Sequence, residues 1–233
     1  MVTEPGVRIC EQALHQQALG ETLHPGGLAL TRRALEVCSL PKGAVLLDVA
    51  CGSGVVVRDL RAHGYSAFGI DLSRALFRRG RRASLIQADA AHIPLAAESL
   101  DGILTECSLS VMDGVNRALA EYNRLLRQGG YLMINDLYAH RTEGVEALRA
   151  LSADTCLRGT LCQSELLEWI SRAGFKPVLW EDHSEGLKAL NIACLLAGVG
   201  ERSSAGIGFT ALDLQLAVAK ARLGYFLLVA EKC

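Results

Sequence analysis

The sequence predicts an α/β fold: a doubly wound, mostly parallel sheet of seven strands with helices on both faces. Three observations predict it. Short apolar runs alternate with amphipathic stretches along the chain, the pattern of successive βαβ units. The apolar run "VLLDV" gives way to "ACGSG", small residues and glycines placed where a strand stops. The 233 residues are half hydrophobic and only 21% charged, enough apolar material for one large core and too little charge for disorder.

Each element follows in order. Helices are expected over Val7–Leu19 and Leu28–Cys38, joined by "HPGG" at His24–Gly27, with Pro41 and Gly43 closing the second. Strands are expected at Val45–Val49, Ser66–Ile70, Ser84–Gln87, Gly102–Thr105, Tyr131–Asn135, Pro177–Glu181 and Tyr225–Ala230. The intervening helices are Val55–His63, Ser73–Arg79, Val115–Arg127 and Ser164–Ala173, with Gly64 and Gly129–Gly130 as C-terminal caps. Helices Gly186–Ala197 and Thr210–Leu223 fill the gap before the last strand. The chain is expected to be one domain over 1–233: an N-terminal helical cap (1–40), a cofactor-binding half (41–136) and an acceptor-side half (137–233) with a helical insertion at about 184–223.

Bulk properties exclude several classes. A formal net charge of −1 offers no general attraction to polyanions, against a nucleic-acid partner. No stretch is apolar for long enough to span a bilayer, and the first twenty residues lack the pattern of a signal peptide. A cytoplasmic protein, monomeric or a homodimer, is expected. The eight cysteines are scattered without a CxxC pair, so no metal site is expected. The arginines at 74, 78, 79, 81 and 82 read as a solvated helix face.

In open parallel sheets, ligands bind beyond the carboxyl ends of the strands, where strand order reverses. Gly52 and Gly54 would let a ligand approach the backbone, and Asp71 is placed to accept hydrogen bonds from ribose hydroxyls. These features alone fit NAD as well as S-adenosylmethionine. Val57 stands where a dinucleotide fingerprint wants its third glycine. Asp48 would repel a pyrophosphate but would favour an ammonium group.

"DVACGSG" resembles motif I of the class I S-adenosylmethionine-dependent methyltransferases, with Ala50 in place of the first glycine, a small residue expected to cost little. The resemblance runs from Val45 to about Asp136 and resumes at "YFLLVAEK". It implies a Rossmann-like fold with an antiparallel last strand and S-adenosyl-L-methionine as cofactor. It assigns Asp48, Ala50, Cys51, Gly52, Ser53 and Gly54 to the cofactor loop. Asp71 goes to the ribose, Leu72 to the cofactor, Asp89 and Ala90 in "QADA" to the adenine, and Glu106 to the methionyl part. The activity implied is methyl transfer to a small-molecule acceptor.

Acceptor selection is expected from segments over the strand ends: His24, Cys107, Ser108, Asp136, Tyr138 and Trp180 as substrate-binding residues. His183, with Tyr138, is the candidate catalytic base, because a near-neutral pKa suits proton removal. Three alternatives stay open. One is an NAD-dependent oxidoreductase and another a non-catalytic cofactor-binding scaffold. The third, within the methyltransferases, is a metalloid or thiol enzyme using Cys107, Cys156 and Cys162.

Overall fold

The computed structural model describes residues 24–73, 84–150, 157, 159–189 and 211–233. The expected helix Val7–Leu19, nearly all of Ser73–Arg79, most of Gly186–Ala197, the arginine cluster and Cys156 lie outside them. The described elements are α1 (Gly27–Cys38), β1 (Val45–Val49), α2 (Val55–Ala62), β2 (Ser66–Asp71), β3 (Leu85–Gln87), β4 (Leu100–Glu106), α3 (Val115–Leu125), β5 (Leu126–Ala139), α4 (Val145–Arg149), β6 (Leu161–Cys162), α5 (Gln163–Arg172), β7 (Phe175–Asp182), α6 (Ser184–Ala189), α7 (Ala211–Ala221) and β8 (Leu223–Lys232).

The sheet has the order β3-β2-β1-β4-β5-β8-β7. Strands β1 to β5 are parallel, and β8 runs antiparallel to both β5 and β7. Chain order reverses between β1 and β4, which makes their carboxyl tips the switch point where ligands bind. The described residues contain an eighth strand that the sequence did not suggest, β6, which pairs with Tyr138 and Ala139 at the upper end of β5.

Alternation of side chains gives each strand two apolar faces. Leu46, Leu104, Leu137, Leu227 and Val229 point to one face, where Leu30, Ala34 and Leu35 of α1 and Val57 and Leu60 of α2 cover them. Leu47, Ile103, Leu132, Ile134 and Leu228 point to the other, under Leu119 and Tyr122 of α3 and Ile170 of α5. Leu46, Leu47, Ile103 and Leu104 are completely buried, and each such side chain contributes about 1.5–3 kcal/mol of transfer free energy. α1 therefore packs within the same core as the central strands.

Two boundaries differ from expectation. α3 stops at Leu125, and Leu126 is already extended with φ −70° and ψ 142°. The Gly129–Gly130 pair thus lies inside β5 rather than capping a helix. A Cβ at Gly130 would stand 2.9 Å from the Arg127 carbonyl oxygen, so the glycine is needed for close backbone approach. β5 also continues to Ala139 rather than ending at Asn135, because β8 pairs with it without interruption from Tyr131↔Glu231 to Ala139↔Leu223. Asp136 and Tyr138, expected in a loop, are consequently strand residues.

Candidate functional site

After β1 the chain enters a tight loop with φ of 59° at Ala50, 55° at Gly52 and 75° at Gly54. The left-handed region costs an L-residue about 1–2 kcal/mol, so Ala50 is strained, contrary to the expectation that it costs little. A Cβ on Gly54 would sit 2.9 Å from Leu85 Cδ2. The loop is pinned to β2 twice: Cys51 N–H donates to the Ile70 carbonyl at 3.0 Å, and Gly52 N–H donates to Asp71 Oδ2 at 2.9 Å. Asp71 Oδ1 accepts from Ser73 N–H at 2.7 Å. Ser53 turns its carbonyl to Arg58. Leu72 is 58% exposed beside this tip. Asp89, exposed at the end of β3, holds a turn by accepting from Ala91 N–H at 2.9 Å; Ala90 lies half-buried within that turn.

A row of polar side chains crosses neighbouring strands on the α1 face: Asp48 on β1, Glu106 on β4, Asn135 on β5 and Tyr225 on β8. Glu106 pairs with Asn135 in register. Asn135 Nδ2 donates to Glu106 Oε1 at 2.8 Å, and Thr31 Oγ1 from α1 donates to the same oxygen at 2.9 Å. Tyr225 donates its hydroxyl hydrogen to Asn135 Oδ1 at 2.7 Å and lies 3.2 Å from the Cys107 thiol. Over this row sits His24, whose Nε2 stands 2.9 Å from Glu106 Oε2. Cys107, with φ 48°, turns the chain sharply at the tip of β4.

The row is short of positive charge. Burial, together with the neighbouring Glu106 and Asp71 carboxylates, pushes the Asp48 carboxyl well above the ordinary carboxylate range. Burial works in the same direction on Glu106. There, however, His24 and the hydrogen bonds from Thr31 and Asn135 prevail and hold the carboxyl below its usual value. Burial opposes charge on His24, and Glu106 outweighs it, so the imidazole is raised toward the imidazolium form. Asp48 thus interacts electrostatically with Glu106 and Asp71, and of these three carboxylates it is Glu106 that faces the buried His24.

Other expected site residues go elsewhere. Ser108 is buried, its hydroxyl 2.6 Å from Thr105 Oγ1. Asp136 faces the α3 side, accepting from the backbone and hydroxyl of Ser110. Tyr138 and Trp180 pack edge to face at 5.3 Å, with Trp180 stacked on Phe226 at 4.5 Å. Burial and Asp182 push the Tyr138 hydroxyl up to about 12. His183 reaches Glu181 at 2.9 Å, and Glu181 is held by Arg33 at 2.6 Å. His183 directly follows β7, the edge strand, three strand spacings or roughly 14 Å from β4. Cys162 caps α5 with its thiol 3.3 Å from Glu165 Oε2. Among the described residues no cluster of His, Cys, Asp and Glu is arranged to hold a metal.

Sequence reasoning missed Thr31, Asn135, Tyr225 and Gly69. Thr31 was detectable: with Ala34, Leu35 and Cys38 it forms the buried stripe of α1, a polar residue at an apolar position.

The family model described as a methyltransferase domain matches residues 47–134, the segment from β1 to β5 that carries the pinned loop, Asp71, Asp89 and Glu106. Over these residues the chain is similar to the class I S-adenosylmethionine-dependent methyltransferases. Among curated proteins, it is 25% identical over 188 residues to the demethylmenaquinone methyltransferase of Renibacterium salmoninarum, covering 70% of this chain and 79% of that one. It is 29% identical over 181 residues to the 18S rRNA (guanine-N(7))-methyltransferase of Mus musculus, covering 72% and 60%. Two further curated relatives are spanned over only 42% and 40% of their lengths. Among solved structures, the [4+2]-cyclase SpnF superposes with a TM-score of 0.67 at 26% identity, covering 88% of this chain and 80% of that one.

The methyltransferase cofactor fits these residues. Asp48 is buried beside Glu106 and Asp71, and burial with those two carboxylates raises its carboxyl; an ammonium group beside it would favour its charged form. A dinucleotide pyrophosphate would add negative charge to three carboxylates.

Proposed function

We propose that the chain binds S-adenosylmethionine across the tips of β1, β2 and β4 and transfers its methyl group to a small-molecule acceptor. The observation that carries the reading is the buried Asp48 carboxyl beside Glu106 and Asp71, at the end of the strand that runs into a loop with two glycines of positive φ. When bound, the cofactor supplies a methyl group on a sulfonium whose leaving group is already activated.

The chain's own residues then bind and orient. Asp71 holds the loop through Gly52 and offers its carboxylate to the ribose. Leu72 provides an apolar surface for the adenine, and Asp89 an acceptor for its amine. Asp48 and Glu106 stabilise positive charge at the buried end. Positioning of this kind is worth about 7–11 kcal/mol in favourable cases, so a dedicated base is required only where the acceptor must lose a proton. His183 and Tyr138 are less suited to that task than their sequence positions suggest: one is tied into the Arg33–Glu181 pair at the sheet edge, and the other is packed in an aromatic cluster.

A small acceptor is favoured by the chain's net charge of −1, which gives no field for capturing a polyanion. Titration calorimetry tests the cofactor: binding of S-adenosylhomocysteine but not NADH supports the reading, and the reverse overturns it. The likeness to a [4+2]-cyclase favours a second reading, a reaction that leaves the cofactor intact. Conversion of an acceptor without release of S-adenosylhomocysteine would select it.

A further inference from the structure

We propose that Tyr225 and Asn135 hold Cys107 in its thiol form at the tip of β4, as positioning residues that keep the methyl donor from alkylating the chain itself. The inference rests on the S-adenosylmethionine reading above, which puts a sulfonium methyl, an electrophile, over the strand tip where Cys107 stands. A thiolate there would be a competing nucleophile, because the ionised sulfur rather than the thiol attacks.

The direction of every hydrogen bond in the chain of contacts follows from one end. Glu106 is held below its usual carboxylate value, and an ionised carboxylate only accepts. Its Oε1 therefore takes a hydrogen from Asn135 Nδ2 at 2.8 Å, which turns Asn135 Oδ1 the other way. That oxygen also only accepts, and it receives the Tyr225 hydroxyl hydrogen at 2.7 Å. A phenol has one hydrogen. Towards the Cys107 sulfur, 3.2 Å away, Tyr225 offers a lone pair, and the thiol must donate. A bond made by the neutral form disfavours loss of its proton.

Both ends of the last link are fixed. Burial, followed by Cys107, Asp136 and Glu106, pushes the Tyr225 hydroxyl well above the ordinary phenol value, so its hydrogen stays in place. Cys107 is set by its backbone: its φ is 48°, and its N–H donates to the Asn135 carbonyl at 2.8 Å. The same polarity withholds the thiolate that a metalloid would need at this cysteine. In the reaction so prevented, a bond forms between Cys107 Sγ and the methyl carbon as the sulfonium–methyl bond breaks. S-adenosylhomocysteine leaves, and the thiol proton passes to solvent.

The test reads Cys107 by peptide mass after iodoacetamide, with Cys38, buried in the core, as the internal measure of unfolding. Tyr225→Phe removes the acceptor of the thiol hydrogen and should speed alkylation of Cys107 about tenfold, the ratio that an ordinary hydrogen bond controls. Asn135→Ala leaves the Tyr225 hydrogen free to turn to the sulfur and stabilise the thiolate, so this variant should react faster still. A packing role alone predicts no such order. Incubated with S-adenosylmethionine and no acceptor, wild-type Cys107 should stay unmodified while that of Tyr225→Phe gains the mass of one methylene. Excess S-adenosylhomocysteine should prevent the gain. Wild-type rates in both variants, Tyr225→Phe reacting faster than Asn135→Ala, or equal acceleration at Cys38 would overturn the relay. An unmethylated Cys107 in Tyr225→Phe would overturn its protective role. Failure of the wild-type protein to bind S-adenosylhomocysteine by calorimetry would remove the cofactor reading and the protective role together, while the order of iodoacetamide rates still decides the relay.

Discussion

Gly69 on β2 lies directly beneath Cys51 of the cofactor loop: a Cβ there would stand 2.6 Å from Cys51 Sγ and 2.7 Å from Cys51 Cβ. The loop can sit low on the sheet, and so present its glycines upward, only because residue 69 has no side chain. Gly69→Ala should cost about 1–3 kcal/mol, the range for overpacking, and should weaken S-adenosylhomocysteine as the loop lifts. Because Cys51 Cβ and Val57 also crowd the site, adding Cys51→Ala should restore only part of the loss. A denaturant midpoint equal to wild type for Gly69→Ala would contradict the packing argument.

Ala50 offers the opposite experiment. Its φ of 59° carries a left-handed penalty of about 1–2 kcal/mol, while glycine loses about 0.5–1 kcal/mol more backbone entropy on folding. The balance predicts that Ala50→Gly stabilises by about 0.5–1 kcal/mol, a rise in Tm of roughly 1–4 °C for a chain of this size. Urea unfolding with an unchanged slope and a raised midpoint is the expected result.

The residues that were legible in the sequence are those whose chemistry is local. Asp48, Gly52, Gly54 and Asp71 stand out because a carboxylate or a glycine at a strand tip has few other uses. What could not be read depends on partners distant in the chain. The length of β5 is set by β8, nearly a hundred residues later, so Asp136 and Tyr138 read as loop residues and are strand residues. Asn135 looked like the polar end of a strand; only the register of β4 against β5 brings it to Glu106. His24 was legible as a histidine in a turn, but its contact with Glu106 depends on how α1 lies across the sheet.

Asp48→Asn should separate stability from binding. The carboxyl is buried and raised, so its contribution to folding is present below about pH 3.8, its ordinary value, and is lost as the pH rises through the folded-state value. Asparagine does not ionise. The variant should therefore be more stable than wild type at pH 7, the gap closing in acid. S-adenosylhomocysteine affinity should fall in the same protein. A variant no more stable than wild type at pH 7 would show that Asp48 is not electrostatically strained.

The His24–Glu106 pair predicts a window of pH. The raised imidazole contributes stability that is complete below 6.5 and lost as the pH climbs through its folded value. The lowered carboxyl contributes stability that is complete above 4.5 and lost as the pH falls through its folded value. Both are present together between 4.5 and 6.5. Removing one partner of a buried pair strands the other and costs about 3–5 kcal/mol, whereas removing both at similar volume can be nearly neutral. Glu106→Gln should therefore be most destabilising, relative to wild type, inside that window, and the deficit should narrow above it as His24 loses its proton. His24→Gln/Glu106→Gln should recover much of the stability and flatten the profile. A deficit for Glu106→Gln that stays constant from pH 4.5 to 9 would mean that the two groups do not form a charged pair.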